Sequence, residues 1–262
     1  MSSDGGLKEL LDAATAHHRV KDRSAAEMYY RKAIGRYPNH PAAWFLLGML
    51  YYEAGRLNDG IEHVKRAVHL DPKNPNYQFN YGVLAATCGK PDEAIAAYTQ
   101  AIQLNPDYPD AHLNLGVLLH ERRDFAAARA SFLETIKLRP NSAEAYYNLG
   151  TLLQDIEDLT GAREAYEAAL RCEPGYYKAY NNLGVLSLLL SGVDGLKKAV
   201  LFYRQALTLR PDYSKARSNL LFALSYHVMC SPAQMLAEHR AWDEQHRVAR
   251  FAHARRFRGT AS

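Results

Sequence analysis

Between Pro109 and Pro140 apolar residues recur at helical spacing in two blocks. Leu115, Leu118 and Leu119 share one face, Ala128, Phe132 and Ile136 share another, and the polar Arg122-Arg123-Asp124 separates them. The pattern predicts two amphipathic helices joined by a short hinge, neither able to bury its stripe alone. The unit recurs. Glycines stand at 48, 82, 116, 150 and 184 and prolines at 38, 72, 106, 140 and 174, each series spaced by 34 residues. A fixed period of that length predicts a solenoid in which each helix pair buries its apolar face against its neighbours.

The constant positions have physical roles. Gly on the first helix lets the second approach closely. The second helix carries a small residue, Ala26, Ala94, Ala128, Ala162 or Ala199, and four residues later an aromatic plug, Tyr30, Tyr98, Phe132, Tyr166 or Tyr203, on the same face. Proline, which lacks an N–H and disfavours helix in the residue before it, then ends the pair. On Trp44, Leu47, Gly48 and Tyr51, and on Ala94, Tyr98 and Pro106, the chain resembles the tetratricopeptide repeat family. It departs from that pattern at Gly60 and Val64, and at Gln78 and His112, which occupy the Trp44 position. The resemblance implies an all-α fold, a right-handed superhelical α-solenoid of helix pairs.

On this reading residues 1–6 are a flexible lead-in. Six repeats span 7–40, 41–74, 75–108, 109–142, 143–176 and 177–213; a degenerate capping helix pair covers 214–246 and a basic tail 247–262. The first repeat has Ala14 in place of the glycine and reads as a cap. The sixth is three residues longer than the rest, and the extra length is expected as a loop at 191–195 between its two helices.

Charge changes this picture little. The chain has 32 Lys and Arg against 28 Asp and Glu, but five of the arginines fall in 247–262, leaving 27 basic and 28 acidic residues in 1–246. The array is therefore not an electrostatic nucleic-acid binder. The tail's Phe251 and Phe257 among Arg250, Arg255, Arg256 and Arg258 could touch RNA or an anionic membrane, but a solvated tail is the expectation. Cys88, Cys172 and Cys230 lie far apart with no CxxC spacing, which fits idle thiols in a reducing compartment. With no apolar run of membrane-spanning length, a soluble cytoplasmic protein is expected.

Catalytic motifs are absent: there is no Gly-rich phosphate loop, HExxH or GxSxG. His239 and His246 lack a third metal ligand, and Asp155, Glu157 and Asp158 read as a solvated hinge. Neither a catalytic residue, a metal nor a cofactor is expected. One series is left. Asn80, Asn114, Asn148, Asn182 and Asn219 each lie two residues before the glycine position, on the first helix of a pair. The family resemblance implies that first helices line a concave groove. Amides stacked roughly 10 Å apart there could pair with the main chain of an extended peptide whatever its sequence; equally, they could only brace the array. Phe79, Leu113, Tyr147, Asn181 and Val117 would flank them with apolar or amide groups, and Glu121 and Asp155 with acids. The family's chaperone-tail clamp needs Lys where this chain has Phe45, Phe79, Leu113, Tyr147 and Asn181, which argues against that role.

At the end of the repeats Tyr226-His227, Ser231-Pro232, Met235 to Arg240 and Trp242 resemble the junction in bacterial relatives of the O-linked N-acetylglucosamine transferase and SPINDLY family, with Val228 where Pro is usual. That resemblance implies a non-catalytic scaffold derived from a substrate-recruiting region, with protein segments as partners. The alternative is a fragment of a UDP-GlcNAc-dependent protein O-glycosyltransferase that lacks its catalytic lobes. Only 16 residues follow His246, while each such lobe needs on the order of 100 or more.

Overall fold

A computed structural model describes residues 3–226 and Arg240; the side chains of Ser3, Asp4, Gly192 and Val193 are not described. Among the described residues there are twelve α-helices and no strand. They fall into two compact units, 1–140 and 141–262. The first unit holds α1 (Ser3–Arg19), α2 (Arg23–Arg36), α3 (Pro41–Glu53), α4 (Leu57–Leu70), α5 (Pro75–Thr87), α6 (Pro91–Leu104), α7 (Pro109–Glu121) and α8 (Phe125–Leu138). The second holds α9 (Ala143–Asp155), α10 (Leu159–Cys172), α11 (Tyr177–Leu209) and α12 (Ser214–Tyr226). The fold is an all-α solenoid of helix pairs.

Glycine and plug meet as the pattern requires. A methyl group on Gly82 would lie 2.6 Å from the Tyr98 ring, one on Gly116 2.7 Å from Phe132, and one on Gly150 2.7 Å from Tyr166. The exception at Gly60 and Val64 keeps the same logic with smaller parts: a methyl on Gly48 would meet Val64 at 2.7 Å. The plugs Tyr30, Tyr98, Phe132, Tyr166 and Tyr203 are at most 2 % exposed.

The hinges repeat as well. Lys21, Gly55, Gly89, Arg123 and Glu157 all have positive φ, between 62° and 75°, and all stand at the same point of the 34-residue period. Each ends a first helix in the left-handed conformation. The next residue's N–H then reaches back to a carbonyl of the helix's last turn, as from Arg56 to Tyr51 at 2.8 Å and from Asp158 to Leu153 at 2.9 Å. In three pairs that next residue is an aspartate that caps the second helix: Asp22, Asp124 and Asp158 accept from the N–H groups of Ala25, Ala127 and Gly161.

Two expectations are corrected. Residues 3–6 belong to α1, where Gly6 packs so closely on Tyr37 that a methyl would lie 2.8 Å from the phenol oxygen. The second concerns 191–195, which is helical and not an open loop. A straight helix would separate Gly184 from Tyr203 by roughly 28 Å, yet the Tyr203 ring packs on Gly184 and Gly195 abuts the Ser187 carbonyl. α11 therefore doubles back on itself. Ser191 stands where the other repeats place their left-handed residue, and the inserted residues turn the chain while it stays helical. Of the expected cap at 214–246 the structure describes α12 and Arg240; the remainder, including Cys230 and Trp242, and the basic tail lie outside the described residues.

In four of the first helices, α3, α5, α7 and α12, the fourth residue has its own task. Trp44 donates to the Pro38 carbonyl at 2.8 Å, Gln78 to Pro72 at 3.2 Å, His112 through Nε2–H to Pro106 at 3.0 Å, and Arg217 to Pro211 at 3.3 Å. Each bond ties a new pair to the carbonyl that ends the previous one. Any side chain with a donor at that reach can do it, which explains why Trp is replaced.

Candidate functional site

The five asparagines do not form a uniform row. Asn182 is 9 % exposed. It donates to the Tyr166 hydroxyl at 2.9 Å and accepts from the Asn181 amide at 3.1 Å; the Asn181 oxygen in turn accepts from Asn219 at 2.9 Å. Tyr166 passes the chain on to the Gln154 oxygen at 3.1 Å. Asn219, Asn181 and Asn182 thus form a directed relay with Tyr166 and Gln154, from α12 through α11 and α10 to α9. Asn181 is fully buried, so it offers no surface to a ligand.

In the first unit the amides are more open. Asn114 is half-buried and hydrogen-bonds the Tyr98 hydroxyl, the plug of the preceding pair. Asn80 has no such partner, because Val64 is the preceding plug; its amide donates to the Asn76 carbonyl at 2.8 Å. Asn148 is half-buried, and the plug one repeat before it, Phe132, carries no hydroxyl. For Asn80, Asn114, Asn148 and Asn182 the presence or absence of a plug hydroxyl separates the amides braced by a plug from those that are not, whereas Asn219 is held by the Asn181 amide.

The flanking residues divide similarly. The Phe79 ring lies 4.8 Å from Tyr108 and 5.8 Å from Tyr98, tilted against each, and Tyr147 lies 5.2 Å from Tyr176. Both remain half-buried, as does Val117, whereas Leu113 is buried. Glu121 and Asp155 are exposed at the ends of α7 and α9. Pattern reading gave no groove role to Phe45, Met49 and Tyr52 on the first helix α3, which with Phe79 and Val83 on α5 are partly buried against the core below them. Phe45 sits 4.8 Å from Tyr77. Their spacing along α3 was visible in the sequence, but only packing shows which atoms the second helices leave uncovered.

Burial sets the electrostatics. It pushes the Tyr98 and Tyr166 hydroxyls up to about 12, against the bonds from Asn114 and from Thr151 and Asn182, which favour the ionised form. These phenols stay neutral and serve as acceptors. Among the described residues no group of three or more His, Cys, Asp or Glu could hold a metal ion, and no helix is long and apolar enough to cross a membrane.

A stack of helix pairs held by glycine–plug contacts, with half-open amides on its first helices, defines a helical-repeat protein. Profiles described as tetratricopeptide repeat match residues 11–75, 119–177 and 147–214, and one described as TPR repeat matches 86–122. The chain belongs to the tetratricopeptide repeat family. No curated protein matches it significantly in sequence. Among solved structures it is similar to MamA, with 26 % identity, 66 % of this chain and 94 % of that chain covered and a TM-score of 0.61. It is similar to YrrB, a TPR protein with an unusual peptide-binding site, at 20 % identity, 71 % and 95 % coverage and a TM-score of 0.59. PilF of Pseudomonas aeruginosa gives 18 % identity, 82 % and 96 % coverage and a TM-score of 0.69.

Proposed function

We propose that this chain is a non-catalytic scaffold that binds extended protein segments along the first helices of its repeats. The observation that carries the reading is the surface of α3, α5 and α7. Phe45, Met49, Tyr52, Phe79 and Val83 offer half-covered apolar area, next to the amides of Asn80 and Asn114. Asn114 is already oriented by Tyr98, so binding need not fix its rotamer. Its oxygen and second N–H can pair with one residue of an extended main chain, while Phe79 and Val117 receive side chains. In the second unit Asn148 and Tyr147 are the open counterparts, and Asn182, Asn219 and Asn181 support them structurally. Likeness to YrrB, a TPR protein with a peptide-binding site, agrees with a peptide ligand.

The test is selection of binding peptides from a random display library, followed by titration of a selected peptide against Asn80→Ala/Asn114→Ala and Phe45→Ala/Phe79→Ala. Loss of two backbone-pairing amides is expected to weaken binding by about tenfold or more, at about 1 kcal/mol for each hydrogen bond. Equal affinity for the amide variant would remove the ladder mechanism; equal affinity for both variants would remove this surface.

The sequence at 226–242 and the amide series support descent from the substrate-recruiting region of a protein O-glycosyltransferase, and three scattered cysteines without CxxC spacing go with action in a reducing cytoplasm. All of that junction except Tyr226 and Arg240 lies outside the described residues. Extending the reading frame of the encoding gene past the codon for Ser262 tests this descent: sugar-nucleotide-binding lobes there would make the chain the recruiting arm of an enzyme, and unrelated sequence would leave it a free-standing scaffold.

A further inference from the structure

The three-residue insertion that bends α11 also opens a cavity in the second unit. Its volume is about 270 Å³, just below the roughly 300–1,000 Å³ of sites for drug-sized ligands. Four apolar side chains line it, Leu183 and Leu186 buried, Phe202 half-buried and Leu190 exposed, together with Ser187, whose hydroxyl is taken up by the Leu183 carbonyl, and Ser191. Leu190 lies past the thirteenth residue of α11, where the first helices α3, α5, α7 and α9 have already ended. The wall therefore exists because this repeat departs from the period.

The rim is charged. Arg163 on α10 and Lys198 on the returning arm of α11 both line the cavity, with Glu167 one turn along from Arg163. All three are exposed, and none forms an ion pair among the described residues. Two cations and one carboxylate leave a net charge of one positive beside the four apolar side chains. That balance suits a single negative charge; a dianionic phosphate or dicarboxylate would meet Glu167 with its surplus.

We propose that this cavity binds a small monocarboxylate with an apolar chain, its tail on Leu183, Leu186, Leu190 and Phe202 and its head between Arg163 and Lys198. The site shares no residue with the peptide surface on the first helices and does not depend on it. A chain of about eight carbons fills the volume, and a ligand of about ten non-hydrogen atoms at ordinary efficiency binds with a Kd on the order of 1 mM.

Octanoate titrated into the full chain, followed by ligand-detected NMR and calorimetry, tests this. Saturable binding is expected, weakened about three- to fivefold by Arg163→Gln and again by Lys198→Gln, as suits exposed charge pairs, with Ser187→Phe filling the cavity and abolishing it. The glutamine variants alter only surface side chains, so they decide the matter if Ser187→Phe unfolds. Absence of saturable binding, equal binding of octanol or octylamine, or octanoate affinity unchanged in the Arg163→Gln/Lys198→Gln variant would each overturn the proposal. So would binding of N-acetyl-Leu-Leu more than tenfold tighter than octanoate, since that would assign the pocket to the carboxy-terminus of a peptide.

Discussion

Asn182 donates its amide to the hydroxyl of Tyr166, the plug of the preceding helix pair, at 2.9 Å. The bond joins the element that makes the fold, the plug, to the element from which a ladder would be built. Because Asn182 is 9 % exposed, water cannot replace the lost acceptor. Tyr166→Phe should therefore cost about 1–3 kcal/mol in denaturant unfolding. Tyr98→Phe should cost less, since Asn114 is half-exposed and water can serve it. Equal losses at the two sites would show that the relay through Asn181 and Asn219 adds nothing.

The left-handed hinge makes a second, opposite pair of expectations. Glu157 holds φ at 65° and Gly89 at 71° at equivalent points of the repeat. A side chain in that conformation costs roughly 1–2 kcal/mol. Glu157→Gly should stabilise the protein, and Gly89→Ala should destabilise it, although a methyl there would meet nothing within 4 Å. Thermal melting should shift by about 2–4 °C in each direction for 1 kcal/mol. A fall in melting temperature for Glu157→Gly would mean that the hinge side chain makes contacts that outweigh the backbone strain.

A third expectation concerns the bond that starts each pair. His112→Gln should retain the tie to the Pro106 carbonyl, because Gln78 makes the same bond to Pro72. His112→Ala should lose about 1 kcal/mol. The comparison is a chemical denaturation series on the three proteins; a His112→Gln variant as unstable as the alanine one would show that ring packing, not the hydrogen bond, matters.

These cases mark how far pattern reading reaches. Gly116 and Phe132 could be paired from the sequence, because a missing side chain and a large one at fixed spacing have one steric explanation. The anchoring of Trp44 could not, since Trp, Gln, His and Arg share nothing but a donor at a certain reach, and hydropathy ignores donors. Asn181 and Asn219 could not be separated from Asn114 and Asn80 either. All are amides on first helices, and their fate depends on a hydroxyl contributed by another repeat or on an amide 38 residues away. At 191–195 the extra length suggested an open loop, but the missing left-handed residue let the helix carry through the reversal.

The buried phenols predict alkaline behaviour. Burial raises Tyr98, Tyr166, Tyr203 and Tyr213 to about 12, against about 10 in an unfolded chain. Below pH 10 both states keep these protons and the contribution to stability is fully present. As pH rises from about 10 to 12 the unfolded chain releases them first, so unfolding becomes progressively easier. Chemical denaturation midpoints should fall steeply across that window, with phenolate absorbance rising together with loss of helix. Tyr203 isolates the cause, because burial alone shifts it. Tyr203→Phe should change stability little at pH 7 and make the protein more resistant than the parent at pH 11. If the variant and the parent lose stability in parallel up to pH 12, the Tyr203 hydroxyl ionises as freely in the folded protein as in the unfolded one, and the plug is open to solvent at its tip.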